Sequence, residues 1–422
     1  MAKIQKITAR EVLDSRGIPT IEGYLLLDTG ELVSAIAPSG ESLGKYEWAE
    51  LRDGDARYDG MGVKKAISYI NDLIAPKLIG ADPSTQSEID DWLIKADNGS
   101  NGQTLGVNTT MTISQLILKA AALSQKIPIY KYINTLGNAI TEKKVILEQM
   151  PGCIITVING GKHGNKNLDF QEFQIIPSTS YSYSQCLEFA VEAYSALKKV
   201  LEYRNAGISV SEEGGFVPNL LTNVDALEVI KESLVQRKLH LGVDVYMGLD
   251  LAASQFFKNN HYIIKDKSQP LKVEDYIDFL VLINKEYNIL ILEDPLEQED
   301  FNNWTKLNEK IGTNTYVVGD DFLAGKKERL QRAIKERSCS AMLVKLNQTG
   351  TITELLELIE IARTANLKII VSHRLGESND SFIADLAVGI QADFVKFGSP
   401  VRGERVAKYN RLLSIEENFL KK

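Results

Sequence analysis

Cysteine, histidine and long apolar runs are all scarce in this 422-residue chain, and each scarcity excludes something. The three cysteines, Cys153, Cys186 and Cys339, are scattered and odd in number. They support neither a disulfide framework nor a zinc cluster, and point instead to reduced core thiols in a cytoplasmic protein. There are four histidines and no His-x-x-x-His pair. A transition-metal site is therefore disfavoured, while a hard cation held by carboxylates stays open. No apolar run is long enough to span a bilayer, and the N-terminus has no secretory apolar core, so no membrane insertion is expected. Excess positive charge is missing too. The 48 Lys and Arg residues against 56 Asp and Glu leave a net charge of −8, which argues against nucleic-acid binding. Neither a solenoid repeat nor a low-complexity segment occurs.

What the chain does have is a run of regular units in its last third. Six apolar stretches recur there, each leading into ionisable residues. They end at Asp250, Glu293-Asp294, Asp320-Asp321, Lys345, His373-Arg374 and Lys396. After a long first step the spacing is roughly 25 residues per strand–helix unit, as in a closed parallel α/β barrel. Chemistry in such barrels gathers at the C-terminal strand ends, here three carboxylate stations followed by three cationic ones. Upstream, Cys153–Ile158 and Phe170–Ile176 read as strands joined by a glycine-rich loop too short for a helix, so the barrel opens with an antiparallel hairpin. Residues 1–137 read as an α+β domain, a three-stranded sheet followed by helices, with Asp28-Thr29-Gly30 as a hairpin turn. Asp82-Pro83 reads as a helix start, residues 138–150 as a linker and 151–422 as the barrel.

Asp250, Glu293 and Asp320 offer three oxygen donors of the kind Mg²⁺ prefers. Any one alone would equally suit a helix N-cap; three at successive strand ends, followed by three cations, favour a site. Lys345 near a divalent cation and other lysines would have a lowered pKa and could act as a general base, or could be a salt-bridge partner. Arg374 and Lys396 would neutralise an anionic substrate, arginine being suited to bidentate phosphate binding. In Glu212-Glu213-Gly214-Gly215, close like charges would raise one carboxyl and make a general acid, though an exposed acidic turn is as common. Gln171 and Glu172 alternate along a strand, so only one can face the interior unless a bulge intervenes. Gly40-Glu41-Ser42-Leu43-Gly44 matches a serine nucleophile elbow, but lacks the parallel strand before it and the helix after it. The small-residue loop 38–44 reads better as a mobile lid.

Motifs in order along nearly the whole chain resemble the enolase family: Leu13-Asp14-Ser15-Arg16-Gly17, Asn159-Gly160-Gly161, Gln171-Glu172-Phe173, Glu213-Gly214-Gly215-Phe216, Glu293-Asp294-Pro295, Gly319-Asp320-Asp321, Lys345-Leu346-Asn347-Gln348, Ser372-His373-Arg374 and Glu404-Arg405-Val406-Ala407-Lys408-Tyr409-Asn410. The resemblance implies an α/β barrel of enolase type, ββαα(βα)6, preceded by an α+β N-terminal lid domain. It implies Mg²⁺-dependent dehydration of 2-phosphoglycerate to phosphoenolpyruvate. Asp250, Glu293 and Asp320 would bind the structural Mg²⁺, and Ser42 would complete a second site once substrate is bound and the lid closes. Lys345 would take the proton from the carbon beside the carboxylate, and Glu213 would help hydroxide leave as water. His163, Gln171, Glu172, His373, Arg374, Leu375 and Lys396 would line the substrate site. A lysine or histidine base with one or two Mg²⁺ ions is a well-known pairing in this superfamily. A homodimer or an octamer of dimers is implied as well.

Departures from the family pattern cluster near the expected substrate. Leu375 stands where serine is usual; Glu41 and Leu43 alter the lid, and Lys162 and Gly164 flank His163. Glu212 stands before Glu213, Phe322 follows the aspartate pair, and Phe397 replaces threonine. The alternatives are a divergent paralogue acting on another phospho- or phosphono-carboxylic acid, a binding protein with a cell-surface or secreted pool, and, least, a serine hydrolase.

Overall fold

The structure is a computed structural model describing residues 2–40, 44–98, 101–141 and 144–420. It forms two compact units. One comprises Met1–Gln149, Val344–Ile361 and His373–Gln391; the other comprises Met150–Leu343, Ala362–Ser372 and Ala392–Lys422.

In the first unit, β1 (Ile4–Leu13), β2 (Pro19–Leu27) and β3 (Leu32–Ile36) form an antiparallel sheet in that order. The expected turn joins β2 to β3, and Gly30 takes a φ of +95° that a side chain would resist. Ile21, Leu25 and Leu27 of β2 point into the core by simple alternation. Gly23 lies between them. A Cβ there would sit 2.7 Å from Thr112 Cγ2 and 2.8 Å from Leu116 Cδ1, so glycine lets the helix Val107–Ser124 lie close on the sheet. That helix is buried almost all round, polar residues such as Asn108, Gln115 and Lys119 included. The exposed backbone of β1 is partly satisfied by Asn71, whose amide accepts from Ala9 N (2.8 Å) and donates to Ala9 O (3.2 Å).

Two local expectations differ from the outcome. Asp82 does not cap a helix; its carboxylate accepts from Ser84 N (2.9 Å) and Ser84 Oγ (2.7 Å), closing a turn, and the helix starts later, at Gln86. Gly137 and Asn138 lie inside the helix Ile129–Ile140. The Asn138 amide then pairs with both backbone groups of Val145, at 2.7 and 3.0 Å.

The second unit carries β4 (Gly152–Asn159), β5 (Glu172–Pro177), β6 (Val245–Asp250), a small hairpin of β7 (Phe257–Lys258) and β8 (His261–Tyr262), then β9 (Ile289–Glu293), β10 (Tyr316–Gly319), β11 (Ala341–Val344), β12 (Lys368–Ser372) and β13 (Phe394–Lys396). Eight of these close into a barrel, β4-β5-β6-β9-β10-β11-β12-β13 and back to β4. β5 runs antiparallel to both neighbours, as the short glycine-rich loop demands. Two helices, Tyr183–Tyr203 and Asn223–Gln236, each opened by a capping box, come before β6. The element order is then ββαα(βα)6, the expected enolase-type arrangement. Ile154, Ile176, Ile291, Val318, Ala341, Leu343, Ile370 and Phe394 fill the barrel interior, a packed plug that closes it as a channel.

Candidate active site

Strand register assembles the carboxylates. Glu172 pairs with Asp250 across the antiparallel β5–β6 contact, and Asp250 pairs with Glu293 across the parallel β6–β9 contact. Three residues more than 40 positions apart in sequence thus become neighbours at one end of three adjacent strands. β13 brings a cation to them. Lys396 Nζ lies 3.0 Å from Asp250 Oδ2, 2.8 Å from Glu293 Oε2 and 3.1 Å from Glu172 Oε1. All four side chains are buried. Burial alone would strip the charge from Lys396, yet the three carboxylates hold its pKa well above the ordinary lysine value. Conversely, burial, with the charges of Glu172 and Asp320, pushes Asp250 up against the pull of Lys396. Glu293 is pushed well up by burial, Asp250 and Asp320.

Asp320 follows β10, and Asp294 holds it in place. Asp294 Oδ1 accepts from Asp320 N (2.9 Å) and Oδ2 from Asp321 N (2.8 Å), so oxygens of Asp294, Asp320 and Asp321 lie within 4.8 Å of one another. Sequence reasoning missed this role of Asp294; its only signal was the Glu293-Asp294-Pro295 motif. Gln171 resolves the alternation question by preceding β5. Its backbone N donates to Asp250 O (2.9 Å) and its amide to Asp250 Oδ2 (3.3 Å), while Glu172 on the strand turns to Lys396 and accepts from Thr156 Oγ1 at 2.6 Å.

The acidic pair Glu212-Glu213 behaves differently from expectation. Glu212 is exposed and Glu213 buried, so the neighbours of Glu213 are not its own sequence partner. Asn159 Nδ2 donates to Glu213 Oε2 at 2.9 Å, and His163 Nδ1 lies 3.3 Å from the same oxygen. Burial disfavours a charged imidazole here. Glu213, by charge and hydrogen bond, with Glu172 and Asp250 behind it, overrides that and raises His163 to about 9.

Lys345, His373, Arg374 and Leu375 belong to the first unit. Lys345 follows β11 directly, and His373-Arg374 follow β12. The buried Arg374 guanidinium meets Glu47 with two parallel bonds, Nη1 to Oε1 at 2.7 Å and Nη2 to Oε2 at 3.0 Å. Against its burial, Arg374 and then Lys345 hold the Glu47 carboxyl well below the usual carboxylate range. Glu47 went unnoticed in the sequence, where nothing marks it as more than one of many glutamates. His373 is buried and Leu375 half-buried. Ser42, the expected second-site ligand, lies outside the described residues, as do Glu41 and Leu43.

The donor set suits a hard divalent cation. Asp250, Glu293, Asp320 and Glu172 are all-oxygen donors and all buried, and burial with the charges of neighbouring carboxylates pushes Asp250 and Glu293 up against the pull of Lys396. Among the described residues, the groups placed closely enough to share an ion are Asp294 with Asp320 and Asp321, and His163 with Glu172 and Glu213; Asp250 and Glu293 are in neither and hold Lys396 instead.

Residues 4–133 match the family described as "Enolase, N-terminal domain", and residues 147–422 match "Enolase, C-terminal TIM barrel domain". Enolase from Acidothermus cellulolyticus is 40% identical over 419 residues, covering 99% of this chain and 95% of that protein. The chain belongs to the enolase family.

Against the family pattern, several departures turn their side chains into the core or to solvent. Phe322 stacks on Trp304 with ring centroids 3.9 Å apart, and Phe397 is buried beside Tyr409. Both fill core space. Lys162 is exposed. Among the described residues no helix is long and apolar enough to cross a membrane.

Proposed function

We infer that this enolase-family chain is a hydro-lyase, phosphopyruvate hydratase, converting 2-phosphoglycerate to phosphoenolpyruvate with Mg²⁺. The observation that carries the reading is the buried nest of Glu172, Asp250 and Glu293 around Lys396 in a chain matched to the family over almost its full length.

Asp250, Glu293 and Asp320 are the residues that hold the first Mg²⁺, with Ser42 and the lid loop serving a second site. When bound, Mg²⁺ supplies the positive charge that makes the carbon beside the substrate carboxylate acidic. Lys345 takes the proton from that carbon. Lys396, kept charged by its three carboxylate partners, offsets the negative charge growing on the substrate carboxylate, a preorganised interaction of the kind that usually dominates catalysis. Glu213 helps the departing hydroxide leave as water, passing on the proton that the charged His163 imidazole holds beside it, which leaves His163 neutral. Arg374 binds the phosphate; Gln171, Glu172, His373 and Leu375 complete the lining. A cytoplasmic homodimer or ring of dimers, with an N-terminal lid domain ahead of the catalytic barrel, belongs to the same reading.

Purified protein with 2-phosphoglycerate and Mg²⁺ should show the ultraviolet absorbance of the enol product. Lys345→Ala should abolish exchange of the substrate carbon-bound hydrogen with solvent. Exchange that persists would move the base to another residue. Intact Mg²⁺ binding without turnover would favour a paralogue with a different phosphorylated acid.

A further inference from the structure

Arg374 is held more elaborately than an anion-binding side chain requires. Its guanidinium is gripped end-on by Glu47, and both side chains are buried, 8% and 6% exposed. The same Glu47 carboxylate makes three further connections. Its Oε1 accepts from Gln348 Nε2 at 3.1 Å, three residues past Lys345, and its Oε2 accepts from Gly44 N at 3.3 Å. Its charge also acts on Lys345. On the other side, a Cβ added to Gly40 would run into Arg374 Nη2. Glu50, three residues on from Glu47, accepts from Gly40 N at 3.0 Å and from Asn347 Nδ2 at 3.2 Å.

A staple for the loop needs none of the contact to Arg374; Gly44 and Gln348 would suffice. The bidentate pair does something else. A free arginine samples many rotamers and must surrender them on binding an anion, whereas a planar fork pinned by two parallel bonds has already lost most of that freedom. We propose that Glu47 is a positioning residue: it sets the plane of the Arg374 guanidinium before substrate arrives and, through Gln348, ties that plane to the segment bearing Lys345. The inference deepens the reading given above and rests on its assignment of Arg374 as the phosphate ligand.

The test compares wild type, Glu47→Gln, Glu47→Asp, Arg374→Gln and the double variant Glu47→Gln/Arg374→Gln. The shorter Asp keeps the charge and loses the reach. A misplaced binding group should raise KM for 2-phosphoglycerate about tenfold or more in both Glu47 variants, with a smaller change in kcat. The double variant should have the KM of Arg374→Gln alone. KM is independent of the folded fraction, and Glu47→Asp carries the test if Glu47→Gln is insoluble. Unchanged KM with a lowered kcat in the Glu47 variants would reduce Glu47 to a loop staple and overturn the proposal. Additive rises in KM in the double variant would overturn it as well. Wild type that fails to turn over 2-phosphoglycerate would instead sink the functional reading, and this inference with it.

Discussion

Replacing Glu213 by glutamine should uncouple His163 from its environment. In the wild type, Glu213 Oε2 lies 3.3 Å from His163 Nδ1 and also accepts from Asn159 at 2.9 Å. Burial works against the imidazolium; the carboxylate outweighs it and lifts His163 from 6.5 to about 9. That rise corresponds to roughly 3 kcal/mol of preferential stabilisation of the charged ring. The sign follows from a folded pKa above the unfolded one. The stabilisation is fully present below about pH 6.5 and is lost as pH climbs through about 9. Glu213→Gln keeps the shape of the side chain and removes the largest of the charges that raise His163, so the ring should titrate well below about 9, with only Glu172 and Asp250 still opposing burial. With four histidines in the chain, the imidazole resonances are few enough to follow by NMR from about pH 5 to about pH 10. Urea unfolding at about pH 6 and about pH 9.5 supplies the second measurement. The gap between wild type and Glu213→Gln should be largest at the acid end and shrink at the alkaline end. A wild-type His163 titrating at its ordinary value, or one that stays near 9 in the variant, would refute the reasoning.

Three other perturbations are informative. Lys396→Met leaves Glu172, Asp250 and Glu293 buried without their shared ammonium, so unfolding should be easier by about 3–5 kcal/mol and kcat lower by about 10²–10³-fold, measured by denaturant titration and product absorbance. Chelation should abolish turnover, and Mg²⁺ at about 100 times its Kd should restore it while adding about 2.7 kcal/mol to stability; thermal scans that do not respond to Mg²⁺ would contradict the carboxylate assignment. Gly23→Ala forces a Cβ onto Thr112 and Leu116 and should cost about 1–3 kcal/mol with KM untouched, a split that separates the sheet–helix packing from the site.

Much of this was legible in one dimension. Apolar strands of roughly four to eight residues, each ending in an ionisable residue, announce a parallel barrel and its strand-end chemistry because strand period and strand length are local properties. The antiparallel opening was readable for the same reason, since a loop from Gly160 to Gln171 leaves no room for a crossover helix. Local turn chemistry was less dependable: Asp82 found Ser84 before it could cap a helix, and Asn138, read as the start of a linker, continued a helix.

Which charges share a partner was decided in three dimensions. Lys396 meets Glu172, Asp250 and Glu293 because of the register between β5, β6 and β9 and the closure of β13 onto β4. Glu213 turned inward to His163 while Glu212 turned to solvent, a distinction of backbone direction that adjacent identical residues cannot display. Glu47 and Arg374, 327 residues apart, form their bidentate pair only after the chain has folded. Composition and periodicity record what each segment prefers. The energy of a buried ion pair depends on a distance between segments, and that distance exists only in the folded molecule.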